Sequence, residues 1–197
     1  MRAAARWTCA LIFGFVAGVA MSFGQTYASD AVRPLFNSAA PVVAVAGLVA
    51  FAARRWWTSA LIGALAGPVL VAGYYLTAHA RGFAASASYV ALWSTAGVLF
   101  GAAMGLAVWT LLSPTPTPAK AIAAALWPGV AIGEAWHGLA RIADSTPAAY
   151  WWTQATVGVA VLVATAWYHV PTWSGRAIAA ASTIVIAAGV FAVYGIV

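Results

Sequence analysis

Seven apolar stretches, each about a bilayer long, constrain this chain more than any other feature. They run over about 7–28, 35–53, 57–79, 87–112, 120–141, 148–168 and 174–196, parted by short polar breaks. A helix crosses a hydrocarbon core of about 30 Å with about 20 apolar residues. Only 6% of the 197 residues are charged, and 64% are hydrophobic. A soluble domain carries about a quarter charged residues, so this chain could not coat a water-facing surface. The alternating ten-residue segments of membrane barrels are absent. The expected fold is all-α: a single transmembrane domain over 1–197, built as an integral membrane bundle of seven helices. Ala, Gly, Val and Leu dominate every stretch, and small residues let membrane helices approach closely. A disulfide scaffold is excluded by a single cysteine, Cys9. A zinc ribbon, a P-loop enzyme and a disordered tail are excluded with it.

Basic residues orient membrane proteins, being retained on the cytoplasmic side. A cytoplasmic N-terminus places Arg2, Arg6, Arg54, Arg55, Lys120 and Arg176 inside. It leaves Arg33, Arg81 and Arg141 outside, beside Asp30 and Asp144. The expectation is therefore N-terminus inside, C-terminus outside, in a bacterial cytoplasmic membrane. The net charge of +6 reads as topology; no basic face exists for nucleic acid. Arg2, Arg6, the apolar run and Thr26-Tyr27-Ala28 also resemble a cleaved signal peptide, but the first span is expected to stay. Ser113-Pro114-Thr115-Pro116-Thr117-Pro118 reads as a stiff, extended connector between helices four and five. No internal repeat is visible, which counts against inverted-repeat transporters.

Polar groups inside such spans are expensive and point to function. Under this topology they gather in the outer halves. Helix one ends with Gln25 and Tyr27, followed by Asp30 and Arg33, and Asn37 opens helix two. Helix three ends with Tyr74, Tyr75 and His79, then Arg81. Helix four begins with Ser86, Ser88, Tyr89 and Trp93. Helix five ends with Glu134, Trp136, His137 and Arg141, then Asp144. Helix six begins with Tyr150, Trp151, Trp152 and Gln154. A concave site opening outward, or sideways into the outer leaflet, would have this pattern.

Helix five carries the sharpest signal. Trp127, Glu134 and Arg141 are spaced by seven and share a face with Ala131 and Gly138. His137 lies one turn from both Glu134 and Arg141. Glu134 is the acidic residue set well inside a span, roughly 10 Å from the Arg141 end at 1.5 Å per residue. Pro128 removes a backbone hydrogen bond and should kink the helix, freeing a carbonyl for a cavity wall. Two roles stay open for Glu134: a proton or ligand site, or a structural bond to His137, Gln154 or an arginine. Asp30/Arg33 and Arg141/Asp144 have the i,i+3 spacing of rim ion pairs; alternatively, one aspartate bonds Glu134. His79, Glu134 and His137 could supply two histidines and a carboxylate, but nothing in their spacing makes them converge. No metal or cofactor is expected.

Eleven tryptophans are many for this length. Trp7, Trp56, Trp57, Trp109 and Trp173 suit an inner interfacial belt. Trp93, Trp127 and Trp136 lie deeper or beside the polar cluster, with Tyr74, Tyr75, Tyr89 and Phe83 at similar depth. Aromatic faces stabilise cations. A carboxylic acid in an apolar aromatic pocket keeps its proton and can act as a general acid. Such a pocket suits carbocation chemistry on an apolar substrate, with water excluded.

In length, helix count and reliance on few intramembrane carboxylates, the chain resembles the small seven-helix bacterial membrane-bound terpene cyclases of indole-terpenoid pathways. The segment Arg33-Pro34-Leu35-Phe36-Asn37-Ser38 is also similar to uncharacterised actinobacterial membrane proteins of this size. The resemblance implies protonation-initiated cyclisation of a prenylated, lipid-like substrate. It implies Glu134 as the acid, Asp30 or Asp144 as its partner, and His137 and Gln154 as orienting groups. The cavity would be lined by Trp93, Trp127, Trp136, Tyr74, Tyr75 and Tyr89, with Gln154, Asn37 and Gln25 also binding substrate. No Asp-Asp pair occurs, which departs from the aspartate-rich motifs of soluble terpene synthases and from magnesium-diphosphate ionisation. The rival is a small-molecule-binding membrane subunit of an uptake transporter, as in vitamin systems. Those bind ligand near the outer face, but have six helices. Neither reading fixes the oligomeric state.

Overall fold

The computed structural model describes residues 3–196, the side chain of Ala3 apart. Arg2, counted among the cytoplasmic basic groups, lies outside the described residues. Seven α-helices follow one another: α1 (Ala3–Tyr27), α2 (Ala39–Ala50), α3 (Trp56–Ala80), α4 (Ala87–Leu112), α5 (Thr117–Arg141), α6 (Ala148–His169) and α7 (Trp173–Tyr194). A 3-10 segment, Arg33–Asn37, precedes α2. The chain is all-α among the described residues.

Four helices, α1, α3, α4 and α7, are long and apolar enough to cross a membrane. The polar side chains of α5 and α6 lower their hydropathy. Helix α2 has 12 residues, about 18 Å at 1.5 Å per residue, shorter than the expected 35–53. The chain breaks at Ser38, which is extended at φ −109° and ψ 147°. The proline-rich connector is also shorter than expected. Pro118 sits in the first turn of α5, where a missing N–H costs nothing.

The contacts divide into two compact units. The first comprises residues 1–28, 35–37 and 41–109; the second comprises 29–34, 38–40 and 110–197.

In the first unit the helices meet through glycine. A methyl placed on Gly18 would overlap the Leu70 carbonyl, and one on Gly73 the Phe15 carbonyl. Along the two helices Gly14 faces Ala66, Gly18 faces Leu70 and Thr26 bonds Arg81, numbers that rise together, so α1 and α3 run parallel. A methyl on Gly63 would strike the Gly101 carbonyl, one on Gly67 would strike Gly97, and one on Gly105 the Ser59 carbonyl. Here the numbers run oppositely, so α3 and α4 are antiparallel. Glycine exposes backbone surface that packs closely without a water-driven force. The buried Ser59 hydroxyl donates to the Gly105 carbonyl at 2.7 Å. Ala46, Val49, Ala50, Ile62, Ala66 and Val108 form the apolar core.

In the second unit α5 is central. Gly129 and Gly133 abut Ile186 and Ala187 of α7, in parallel. Gly138 abuts Trp151 and Gly158 abuts Ile132, so α6 is antiparallel to α5. Ala121, Ala124, Ala166, Val170 and Ala179 form the core at the other end. The carbonyl that Pro128 frees, that of Ala124, faces α6 and accepts from the Thr165 hydroxyl at 3.4 Å. Outward faces of its helices are apolar, as at Val163, Ile184 and Val185.

Candidate functional site

The predicted inward stripe of α5 exists: Ala131, Glu134 and Gly138 are buried, and only Arg141 at its end is exposed. Glu134 is 3% exposed and takes four donors. The Ala39 amide reaches Oε1 at 2.7 Å and the Ala40 amide Oε2 at 3.0 Å. The Tyr194 hydroxyl donates to Oε1 at 2.7 Å, and Gln154 Nε2 to Oε2 at 3.0 Å. Ala39 and Ala40 are the first residues of α2, whose leading N–H groups have no partner within the helix. A carboxyl there also meets the positive end of the helix dipole. Glu134 therefore caps α2 from another helix, and every lone pair it offers is used.

The network continues outward. Gln154 Nε2 also donates to the Ala131 carbonyl at 3.1 Å, while its Oε1 accepts from the Tyr150 hydroxyl at 2.6 Å. The Tyr150 hydroxyl lies 3.0 Å from Ser38 Oγ. Trp127 Nε1 donates to the Ala40 carbonyl at 2.9 Å. Satisfied buried networks of this sort rigidify and specify a packing.

The other expected members stand apart from this carboxyl. Asp30 pairs with Arg33 at 2.8 Å, its side chain 79% exposed. Asp144 is exposed in the turn after α5 and forms no ion pair with Arg141 among the described residues. His137 makes ring contacts with Tyr194 and Phe191 at 5.1 and 6.0 Å, and its buried Nδ1 has no partner among the described residues. It does not orient Glu134. Trp136 stacks on Phe191 at 4.4 Å. Asn37 is exposed in the 3-10 segment, and α2 opens at Ala39, after the extended Ser38.

Gln25, Tyr74 and Tyr75 belong to the first unit and line a different feature. Together with Ser22, Thr26, Ala78, Arg81, Phe83 and Ala84 they line an open pocket of about 290 Å³. It lies where α1 and α3 end side by side. Gly82, at φ 85°, turns the chain beyond α3: its amide bonds the His79 carbonyl, and the Phe83 amide bonds that of Ala78. This left-handed C-terminal motif folds Phe83 back over the pocket. Arg81 reaches α1, donating from Nη1 to Thr26 Oγ1 at 3.0 Å and from Nη2 to the Ser22 carbonyl at 2.8 Å and Oγ at 2.7 Å. Its Nε donates to the Thr77 carbonyl at 3.3 Å. Phe23 and Phe83 lie 4.5 and 5.3 Å from the guanidinium carbon. Gln25 Oε1 is buried without a partner among the described residues. Tyr74 and Tyr75 meet edge to face at 5.1 Å, and neither hydroxyl is hydrogen-bonded among the described residues. Tyr89 and Trp93, on α4, are exposed and half-buried.

Sequence reading missed Tyr194, Ser38, Ser22 and Thr26, and treated Arg81 as rim. Ser22, Gln25 and Thr26 did carry a signal: their i, i+3, i+4 spacing puts three polar groups on one face of an apolar helix.

The fold thus defines an all-α protein with four helices able to cross a membrane, an internal carboxyl network and a polar pocket at two helix ends. The chain belongs to DUF6518, a family of unknown function whose model matches residues 1–197. No curated protein and no solved structure matches it.

Proposed function

We propose that this is an integral membrane protein of seven crossings that binds a small amphipathic molecule in the α1–α3 pocket. The class is that of a small-molecule-binding subunit, such as serves an uptake transporter. The N-terminus is cytoplasmic and the C-terminus outside, following the basic residues. The parallel course of α1 and α3 supports the crossing count, because residues 28–55 must return across between them. The 3-10 segment adds about 10 Å at 2.0 Å per residue to the roughly 18 Å of α2, approaching the ~30 Å core. The pocket then opens toward the outer face.

One observation carries the binding reading. The pocket holds Gln25 Oε1, a buried acceptor without a partner among the described residues, beside Tyr74 and Tyr75 and against the aromatic ring of Phe83. A buried acceptor without a partner costs about 1–3 kcal/mol, which a ligand would recover. Concave, partly apolar sites with a few polar groups are the usual form of small-molecule sites. Cyclisation of a prenylated substrate, the other reading, asks Glu134 for a proton. A carboxyl that accepts from four donors would first have to break that network, so the cyclase reading ranks second.

The test is extraction. Full-length protein is purified in nanodiscs, denatured and analysed by mass spectrometry for small molecules, beside Gln25→Leu. A compound retained by the wild type and absent from the variant supports the reading. Equal recovery from both, or none from either, counts against it.

A further inference from the structure

We infer that the pocket's ligand is an organic oxyanion, a carboxylate or phosphate on a flat apolar body, held with its charge against Arg81. The inference rests on the binding reading above and adds the ligand's charge and shape.

The charge argument begins with the sequence. The chain has three acidic residues, Asp30, Glu134 and Asp144, and none falls within the first unit. Among the described residues, the hydrogen-bond and ring partners of Arg81 are neutral: two backbone carbonyls, two hydroxyls and two aromatic rings. The guanidinium is held in place yet has no counter-charge in its unit. A charge partly withdrawn from water is stabilised by pairing, and a guanidinium N–H bonds strongly to a carboxylate or phosphate oxygen. Four of its five N–H groups serve the protein, leaving one on Nη1 for a ligand. The hydroxyls of Tyr74 and Tyr75, two further donors, line the same cavity.

The shape follows from the remaining wall. Gln25 Oε1 asks for a donor on the ligand, and Phe83, Ala78 and Ala84 supply an apolar surface. About 290 Å³ is room for a bicyclic acid. We therefore expect a soluble acid with an N–H or O–H group. A lipid phosphate would offer Arg81 the same oxyanion and is set apart by the probes.

Wild-type protein in nanodiscs is titrated with four probes: indole-3-acetate, its neutral isostere indole-3-acetamide, phenyl phosphate and dihexanoyl phosphatidate. The indole acid should bind at least tenfold more tightly than its amide and displace the phosphatidate. Arg81→Gln should remove that preference, and Arg81→Lys should keep part of it. Arg81→Gln could unfold by releasing α1 from α3, but the wild-type contrast between acid and amide still decides. Acid and amide binding equally would overturn the anion inference and leave the pocket reading standing. Preference for the phosphatidate would overturn the soluble source. Failure of all four probes, with no co-purified compound in the wild type, would overturn both readings.

Discussion

At the scale of single residues, Glu134 and Arg81 answer the cost of a polar group in an apolar chain in opposite ways. Glu134 is closed: four donors from α2, α6 and α7 converge on it. Glu134→Gln replaces one acceptor oxygen with a donor, facing either an amide or Tyr194. Hydrogen bonds to charged groups contribute about 1.5–3 kcal/mol each, so this variant should lose on the order of 3 kcal/mol. Tyr194→Phe, which removes one donor, should lose about 1.5 kcal/mol. Reversible unfolding in mixed micelles measures both. The two residues differ in legibility for a physical reason. Glu134 and Gln154 stand out because polar side chains are rare in apolar spans. The Ala39 and Ala40 amides leave no mark in a side-chain pattern, so a capping role could not be read beforehand. Arg81 sits at a span end, where a charge looks ordinary until its neutral partners are seen.

At the scale of elements, helix bounds were legible to within a few residues because each apolar run ends in turn-forming or polar residues. The exception is α2. Its run continues to 53, but the helix ends at Ala50 and begins only after Ser38, because the 3-10 segment from Arg33 uses the residues before it. Glycine explains how the elements pack. Gly97, Gly101 and Gly105 of α4 meet Ser59, Gly63 and Gly67 of α3, backbone against backbone. Gly101→Leu should separate these helices and lose about 1–3 kcal/mol or more, as overpacking does. Leu99→Ala, on an exposed face of the same helix, should change stability little. The same micelle assay compares them.

At the scale of the whole molecule, the account joins a membrane fold to a pocket rather than to the carboxyl that looked most functional in the sequence. Its topology makes a direct prediction. With Cys9 replaced by Ala, a membrane-impermeant maleimide added to intact cells should label Ser145→Cys, in the α5–α6 turn, and not Ser174→Cys at the start of α7. Labelling in the reverse pattern would invert the orientation and place the pocket on the cytoplasmic side. The central claim is that Glu134 holds the fold while the pocket of Gln25 and Arg81 holds the ligand. The measurement that tests it most directly is the ligand-induced rise in melting temperature of Glu134→Gln and Gln25→Leu, with indole-3-acetate as ligand. The account predicts a lowered Tm with a wild-type ligand-induced rise for Glu134→Gln, and a near-wild-type Tm with that rise lost for Gln25→Leu. A Glu134→Gln protein that melts like wild type but no longer responds to ligand would contradict it.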